Sequence, residues 1–367
     1  MLAFAQSFGG HERRRYLTYP HCNGFADGGR SLVLGQTEPG VSSIWRHDLE
    51  TGREERLCEF AHAAGGPDPV LYFDIAASAN MLVVRSGGSV WRLDLNAPAG
   101  IAKPERLWHG DGADLCGLVS VSAGGSRVLF DNRPDNALSR WRLIELDLRR
   151  EPETRARIAG EFSWWANHFH FCPHDETWIG FSHEGPTSQI PDRVWAMHPR
   201  LAPQGRCLFR NGAANLCVGH ERWAFHASSA FAVAYGESPS GPRGVYEIRA
   251  PETETDSLSP PRLVSEGDRD WHVDISRCGR WAVVDTTGPH DAPGRGWQDA
   301  RDISDILLID TATGRREFLA RSRQDGKHPC HPHPVFSPDG SAIFYNEAAP
   351  DGGGHRVIAV SNPWINK

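Results

Sequence analysis

Ser337-Pro338-Asp339-Gly340, followed by Ala342-Ile343-Phe344-Tyr345, is a polar turn feeding a short run of β-formers. The pattern recurs along the whole chain. Earlier copies are Ala26-Asp27-Gly28-Gly29 before SLVLG, Ala76-Ala77-Ser78-Ala79 before MLVV, and Ser122-Ala123-Gly124-Gly125 before RVLF. Then come Cys172-Pro173-His174-Asp175 before TWIGF, Ala224-Phe225-His226-Ala227 before SAFAVAY, and Ser276-Arg277-Cys278-Gly279 before WAVV. The unit repeats at roughly fifty residues, the length of a four-stranded propeller blade. Each copy continues into an apolar strand that often ends in Asp and a tight turn, as in Ile44–Leu49, Val90–Leu95 and Ile306–Asp310. A third element rich in Arg and Leu follows, as in REERLCE, ERLWHG and RREFLAR.

That third element is missing after the last copy. The nearest candidate lies at the other end, in Arg13-Arg14-Arg15-Tyr16-Leu17-Thr18. The expectation is an all-β, seven-bladed β-propeller over residues 1–367, closed by this N-terminal strand. Closure removes the open sheet edges that template aggregation, and no blade can bury its faces without neighbours. A single domain of this kind suits the composition: 39% hydrophobic residues, with 38 Gly and 26 Pro for many short strands and turns, and 13 Trp for bulk between blades.

Composition also excludes several functions. The net charge of −7 is interleaved along the chain, which leaves no footprint for nucleic acid and no basic amphipathic face for lipid. No stretch approaches the roughly 18 apolar residues of a membrane span. The start, MLAFAQSFGGHERRR, has neither the basic nor the apolar region of a signal peptide. The 8 Cys have no paired spacing, so they read as reduced thiols, and a cytoplasmic location is expected. There is no Gly-x-Ser-x-Gly elbow and no Gly-rich phosphate loop.

Chemistry enters through one repeat position. Four or five residues before each turn stand His21, Tyr72, Leu118, His168, His220, His272 and His333. Five of these seven are histidine, and equivalent positions of a repeat occupy equivalent places in space, so a ring of imidazoles is expected. Beside the last of them runs Lys327-His328-Pro329-Cys330-His331-Pro332-His333-Pro334. Its prolines fix φ and stiffen the segment, and in a strand residues two apart share a face, so His331 and His333 point together. With His272 from the preceding blade, His328, His331 and His333 are expected to bind a divalent metal. An all-imidazole set suits Zn²⁺ or Ni²⁺. Cys330 falls on the other face and is not counted.

His21, His168 and His170 read as strand-end hydrogen-bonding groups or as substrate contacts, the set of expected contacts being His168, His183, His21 and Tyr72. His47, His62, His109, His198, His290 and His355 belong to no constellation and are expected at the surface. Arg193 suits an anionic substrate, because its planar fork binds carboxylate bidentately. Arg222 fits an inter-blade salt bridge better.

Three motifs resemble the oligogalacturonate lyases. They are Asn167-His168 through His183-Glu184-Gly185-Pro186 to Arg193-Val194-Trp195, then Gly219-His220-Glu221-x-Trp223, and His331-Pro332-His333-Pro334-x-Phe336-Ser337-Pro338-Asp339-Gly340. The resemblance spans roughly residues 11–350. It implies a seven-bladed propeller that binds Mn²⁺ and cleaves short pectin fragments by β-elimination. It puts His272, His331 and His333 on metal ligands, His220 on the catalytic base and Arg193 on a substrate-facing arginine. Two departures stand out: His328 occupies the position of a glutamine ligand, and Thr187 follows HEGP where the resemblance implies Trp.

The expected reaction follows. A metal on a uronate carboxylate stabilises the charge that develops when the α proton leaves. His220 takes that proton, and Arg193 orients the carboxylate. The expected partner is an acidic oligosaccharide. Two alternatives stay open: a lyase for other uronate glycans of glucuronate or ulvan type, and a non-catalytic TolB-like binding propeller.

Overall fold

In the computed structural model, the described residues are 5–62, 70–97, 103–110, 118–134, 139–209, 215–254 and 256–365. They form seven antiparallel sheets, a seven-bladed β-propeller. The chain divides into two compact units, Arg13–Phe171, and Met1–Glu12 with Cys172–Lys367. In the first, one sheet is built on Ser31–Glu38, Val41–Asp48 and Glu54–Ala61. Its inner position is shared by two short strands, Arg15–Tyr16 and Phe25–Ala26. Two four-stranded sheets follow, Phe73–Ala76 to Glu105–His109 and Val119–Val121 to Ala156–Phe162, and then the strand Ala166–Phe171. The second unit holds the ladder Ile179–His183, Val194–His198 and Ala202–Cys207, the sheets Val218–Trp223 to Arg262–Glu266 and Asp270–Ile275 to Arg316–Arg323, and the last blade. Among the described residues, no helix is long and apolar enough to cross a membrane. Seven described cysteines are free thiols, and Cys116 lies outside the described residues.

The repeated turn has one local cause. In Ser122–Gly125, Ser276–Gly279 and Ser337–Gly340 the glycine N–H donates to the serine carbonyl at 2.8 Å. The glycine takes φ of 72°, 73° and 74°, a left-handed conformation that costs glycine no Cβ clash. The Asp closing the third strand is equally functional in folding. Asp48 Oδ1 accepts the Thr51 N–H at 2.7 Å, and Asp310 Oδ1 accepts the Thr313 N–H at 2.9 Å, each capping the next turn.

Closure differs from the sequence reading in one respect. The strand that pairs with His355–Ser361 is Ala5–Phe8, with Ala5 opposite Val360 and Phe8 opposite Val357. Arg15–Tyr16 instead pair with Gln36 and Gly35 in the first sheet. The arginines misled the assignment. Arg15 is buried against Glu54 and over the Trp45 ring, so it serves an inner position rather than an outer edge. Phe8, buried against Phe344 at 5.6 Å, is the apolar residue that anchors the closing strand.

Neighbouring inner strands are stitched together two residues beyond the ring position. Asp74 accepts the Asn23 N–H at 2.6 Å on one side and the Val121 N–H at 2.7 Å on the other. Asp274 does the same, accepting Arg222 Nε–H at 2.8 Å and the Phe336 N–H at 2.8 Å. Ser120 Oγ accepts the Phe171 N–H at 3.2 Å. Arg222 is thus the inter-blade salt bridge expected of it.

Candidate metal centre and its surroundings

The ring histidines lie where the inner strands buckle. Pairing of Val218–Trp223 slips between Gly219 and Arg222, around His220, and pairing of Asp270–Ile275 slips between Asp270 and Val273, around His272. His168, His220 and His333 take positive φ, at 60°, 52° and 45°. A left-handed non-glycine residue costs on the order of 1–2 kcal/mol and concentrates at functional sites. A bulge of this kind re-aims a side chain out of the strand's normal alternation.

In the second unit, His272, His331 and His333 each present a ring nitrogen, and these lie within 4.8 Å of one another, all on buried residues. His272 Nε2 stands 3.0 Å from His333 Nε2. Two ligands at right angles on one ion, with bonds of about 2.1 Å, are separated by roughly 3 Å, so the spacing fits. The donor set also fits chemically. Burial holds His331 down to about 4, and burial, followed by the neighbouring imidazoles, holds His272 well below its ordinary value. Both rings are therefore neutral and able to coordinate. His328 is outside this group: it is exposed, with its ring centroid 4.4 Å from His331 and 4.9 Å from His333. Cys330 is buried outside the group as well.

Sequence reasoning missed Asp285. It is the last residue but one of the apolar strand Trp281–Thr286 and is fully buried. Its oxygens accept the His272 backbone N–H at 2.7 Å and the His333 N–H at 3.1 Å, and both lie 2.9 Å from His272 Nδ1. Burial pushes its carboxyl up, and the two backbone N–H donors hold it down. The only hint in the sequence was a carboxylate inside a run that otherwise reads as core.

His220 stands beside the group, its ring 4.1 Å from that of His272. Its Nδ1 is 2.7 Å from the Trp271 carbonyl, so Nδ1 carries the proton and Nε2 the lone pair. Glu221, pointing elsewhere, is buried and accepts Ser182 Oγ–H at 2.7 Å, and burial raises it to about 7. Arg193 is buried and donates to the Gly185 carbonyl at 2.7 Å and to Glu184 at 3.1 Å. Its Nε–H meets no acceptor among the described residues. His183 Nδ1 lies 3.1 Å from Asp192, and Thr187 donates to Glu237 at 2.6 Å.

In the first unit the equivalent positions also converge. Tyr19 is the hub, with its ring 5.1 Å from His21, 5.1 Å from His168 and 5.6 Å from Tyr72, over a cluster that includes Leu118. His21 stacks on His170 at 4.2 Å. Tyr19 was missed, although it lies two residues from His21. The surface assignment fails for His47 and His355, both buried. His47 sits in a third strand, paired with Leu32 on one side and Glu54 on the other.

No protein-family model matches the chain. The oligogalacturonate lyase of Dickeya dadantii (strain 3937) is 21% identical over 356 residues, covering 89% of this chain and 85% of the relative. A solved oligogalacturonate lyase in complex with manganese superposes with a TM-score of 0.79 at 18% identity, covering 100% of this chain and 95% of the other. The oligogalacturonate lyase of Vibrio parahaemolyticus gives 0.76 at 16% identity, covering 100% and 99%. The fold is therefore that of these lyases. The resemblance first seen in the motifs extends along the chain at low identity, as a divergent relative requires.

Proposed function

We propose that this protein is a metal-dependent lyase that cleaves short uronic-acid oligosaccharides of oligogalacturonate type by β-elimination, a step in pectin breakdown. The observation that carries the reading is a group of three buried imidazoles with a fourth, His220, beside it in a proton-accepting tautomer. His272, His331 and His333 would hold the ion, Mn²⁺ by analogy with the manganese-bound lyase, with His328 as a fourth ligand if its exposed ring turns inward. When bound, the ion supplies Lewis acidity to the substrate carboxylate.

The rest belongs to the chain's own residues. His220 Nε2 takes the C5 proton, and its Nδ1–H, held by the Trp271 carbonyl, fixes the ring for that transfer. Arg193, held in place by Glu184 and Gly185, keeps donors for the substrate carboxylate. The C4–O bond breaks as the C4–C5 double bond forms, the leaving oxygen takes up a proton from solvent while His220 gives its own back, and no net water is consumed. His168, His183, His21 and Tyr72 are proposed as sugar contacts.

A second reading, a lyase for glucuronate-type glycans on the same residues, is favoured by Thr187, engaged with Glu237 where the resemblance implies a large aromatic. A panel of galacturonate, glucuronate and ulvan-type oligomers, followed by ultraviolet absorbance of the unsaturated uronate, tests both. Turnover is expected with added Mn²⁺ and lost with chelator. A TolB-like binding role would instead give no metal in elemental analysis and no product on any oligomer.

A further inference from the structure

We infer that Asp285 is the positioning residue of the metal centre, one carboxylate that sets the tautomer of His272 and anchors the backbone of His333. The inference rests on the metal reading above. Three nitrogens converge on this side chain: the His272 ring Nδ1, the His272 backbone N–H and the His333 backbone N–H. Holding the proton on Nδ1 directs the His272 lone pair to Nε2, the atom 3.0 Å from His333 Nε2. Holding the His333 N–H steadies a residue with φ of 45°, a conformation its own sequence does not favour. Two ligands from separate blades therefore owe their mutual spacing to a residue that coordinates nothing. The carboxylate–histidine pairing also raises the donor strength of the imidazole.

A bystander that only capped backbone N–H groups would account for two of the three bonds but not for the ring. Asp285→Asn separates the roles. An amide offers one acceptor oxygen and a donor NH₂, so at least one of the three N–H groups must then face another donor. Asp285→Glu restores the charge with one extra methylene. Full-length wild type and both variants, stripped with chelator, would be titrated with Mn²⁺ by calorimetry, and their Co²⁺ visible spectra recorded.

The expected result is Mn²⁺ affinity lower by about 10–100-fold in Asp285→Asn, a changed Co²⁺ spectrum, and partial recovery of both in Asp285→Glu. Wild-type affinity and spectrum in a folded Asp285→Asn protein would overturn the inference. If that variant does not fold, ¹⁵N-histidine NMR of the wild type decides: His272 protonated on Nδ1 supports the inference, and His272 protonated on Nε2 overturns it. A wild type that binds no divalent metal removes the functional reading and this inference together. Wild-type binding without an Asp285 effect removes this inference alone.

Discussion

Asp274 ties together the strands that carry His220 and His272 and the strand that begins two residues after His333, so its removal should loosen both fold and site. Its carboxylate receives Arg222 Nε–H and the Phe336 N–H, each at 2.8 Å, and the side chain is almost wholly buried. In Asp274→Ala the Arg222 guanidinium loses this carboxylate while remaining buried. Arg277 shares the Phe225 ring with it, each guanidinium 5.2 Å from the centroid, and the two cations repel. Breaking a buried pair by removing one partner costs about 3–5 kcal/mol, and the orphaned Phe336 N–H adds to that cost. We take ~4 kcal/mol in all, because the terms share one desolvation. An unfolding entropy of about 2.1 cal/mol/K per residue gives about 0.8 kcal/mol/K for this chain, so the expected fall in Tm is about 5 °C. Circular dichroism melts of the chelator-treated protein measure it. Asp274→Ala with Arg222→Met removes both charges and should be less damaging than the single change. The reasoning fails if Asp274→Ala melts within about 1 °C of the parent, or if the two changes simply add.

Two further outcomes are expected. His220→Ala should lower turnover by on the order of 10²–10⁴ with metal content unchanged, whereas Arg193→Ala should weaken turnover and substrate binding together; kinetics and elemental analysis on the same preparations separate a base from a ligand, and metal loss in His220→Ala would reassign it. Deleting residues 1–10 removes the Ala5–Phe8 ladder and the buried Phe8 ring, for which truncation alone costs about 3–5 kcal/mol, so Tm should fall by several degrees and size-exclusion chromatography should show concentration-dependent association through the bared His355–Ser361 edge.

The repeat made the architecture legible before any coordinates. A short polar turn needs only local backbone chemistry, and its seven copies, three of them Ser-x-x-Gly, counted the blades. The same count put His21, Tyr72, His168, His220, His272 and His333 at one repeat position, because equivalent positions of a repeat are equivalent in space. The closing strand was harder to read. Ala5–Phe8 is short and its sequence weakly β-forming, and only its partner His355–Ser361 makes it a strand. The sequence by itself therefore determined the number of blades and which imidazoles could meet. Tertiary structure alone decided that three of them converge on buried nitrogens while His328 stays exposed, since that depends on bulges and left-handed turns that no periodicity encodes. It alone disclosed Asp285 too. A buried carboxylate is tolerable only when N–H donors converge on it, and here the donors come from a residue 13 positions before it and another 48 positions after it.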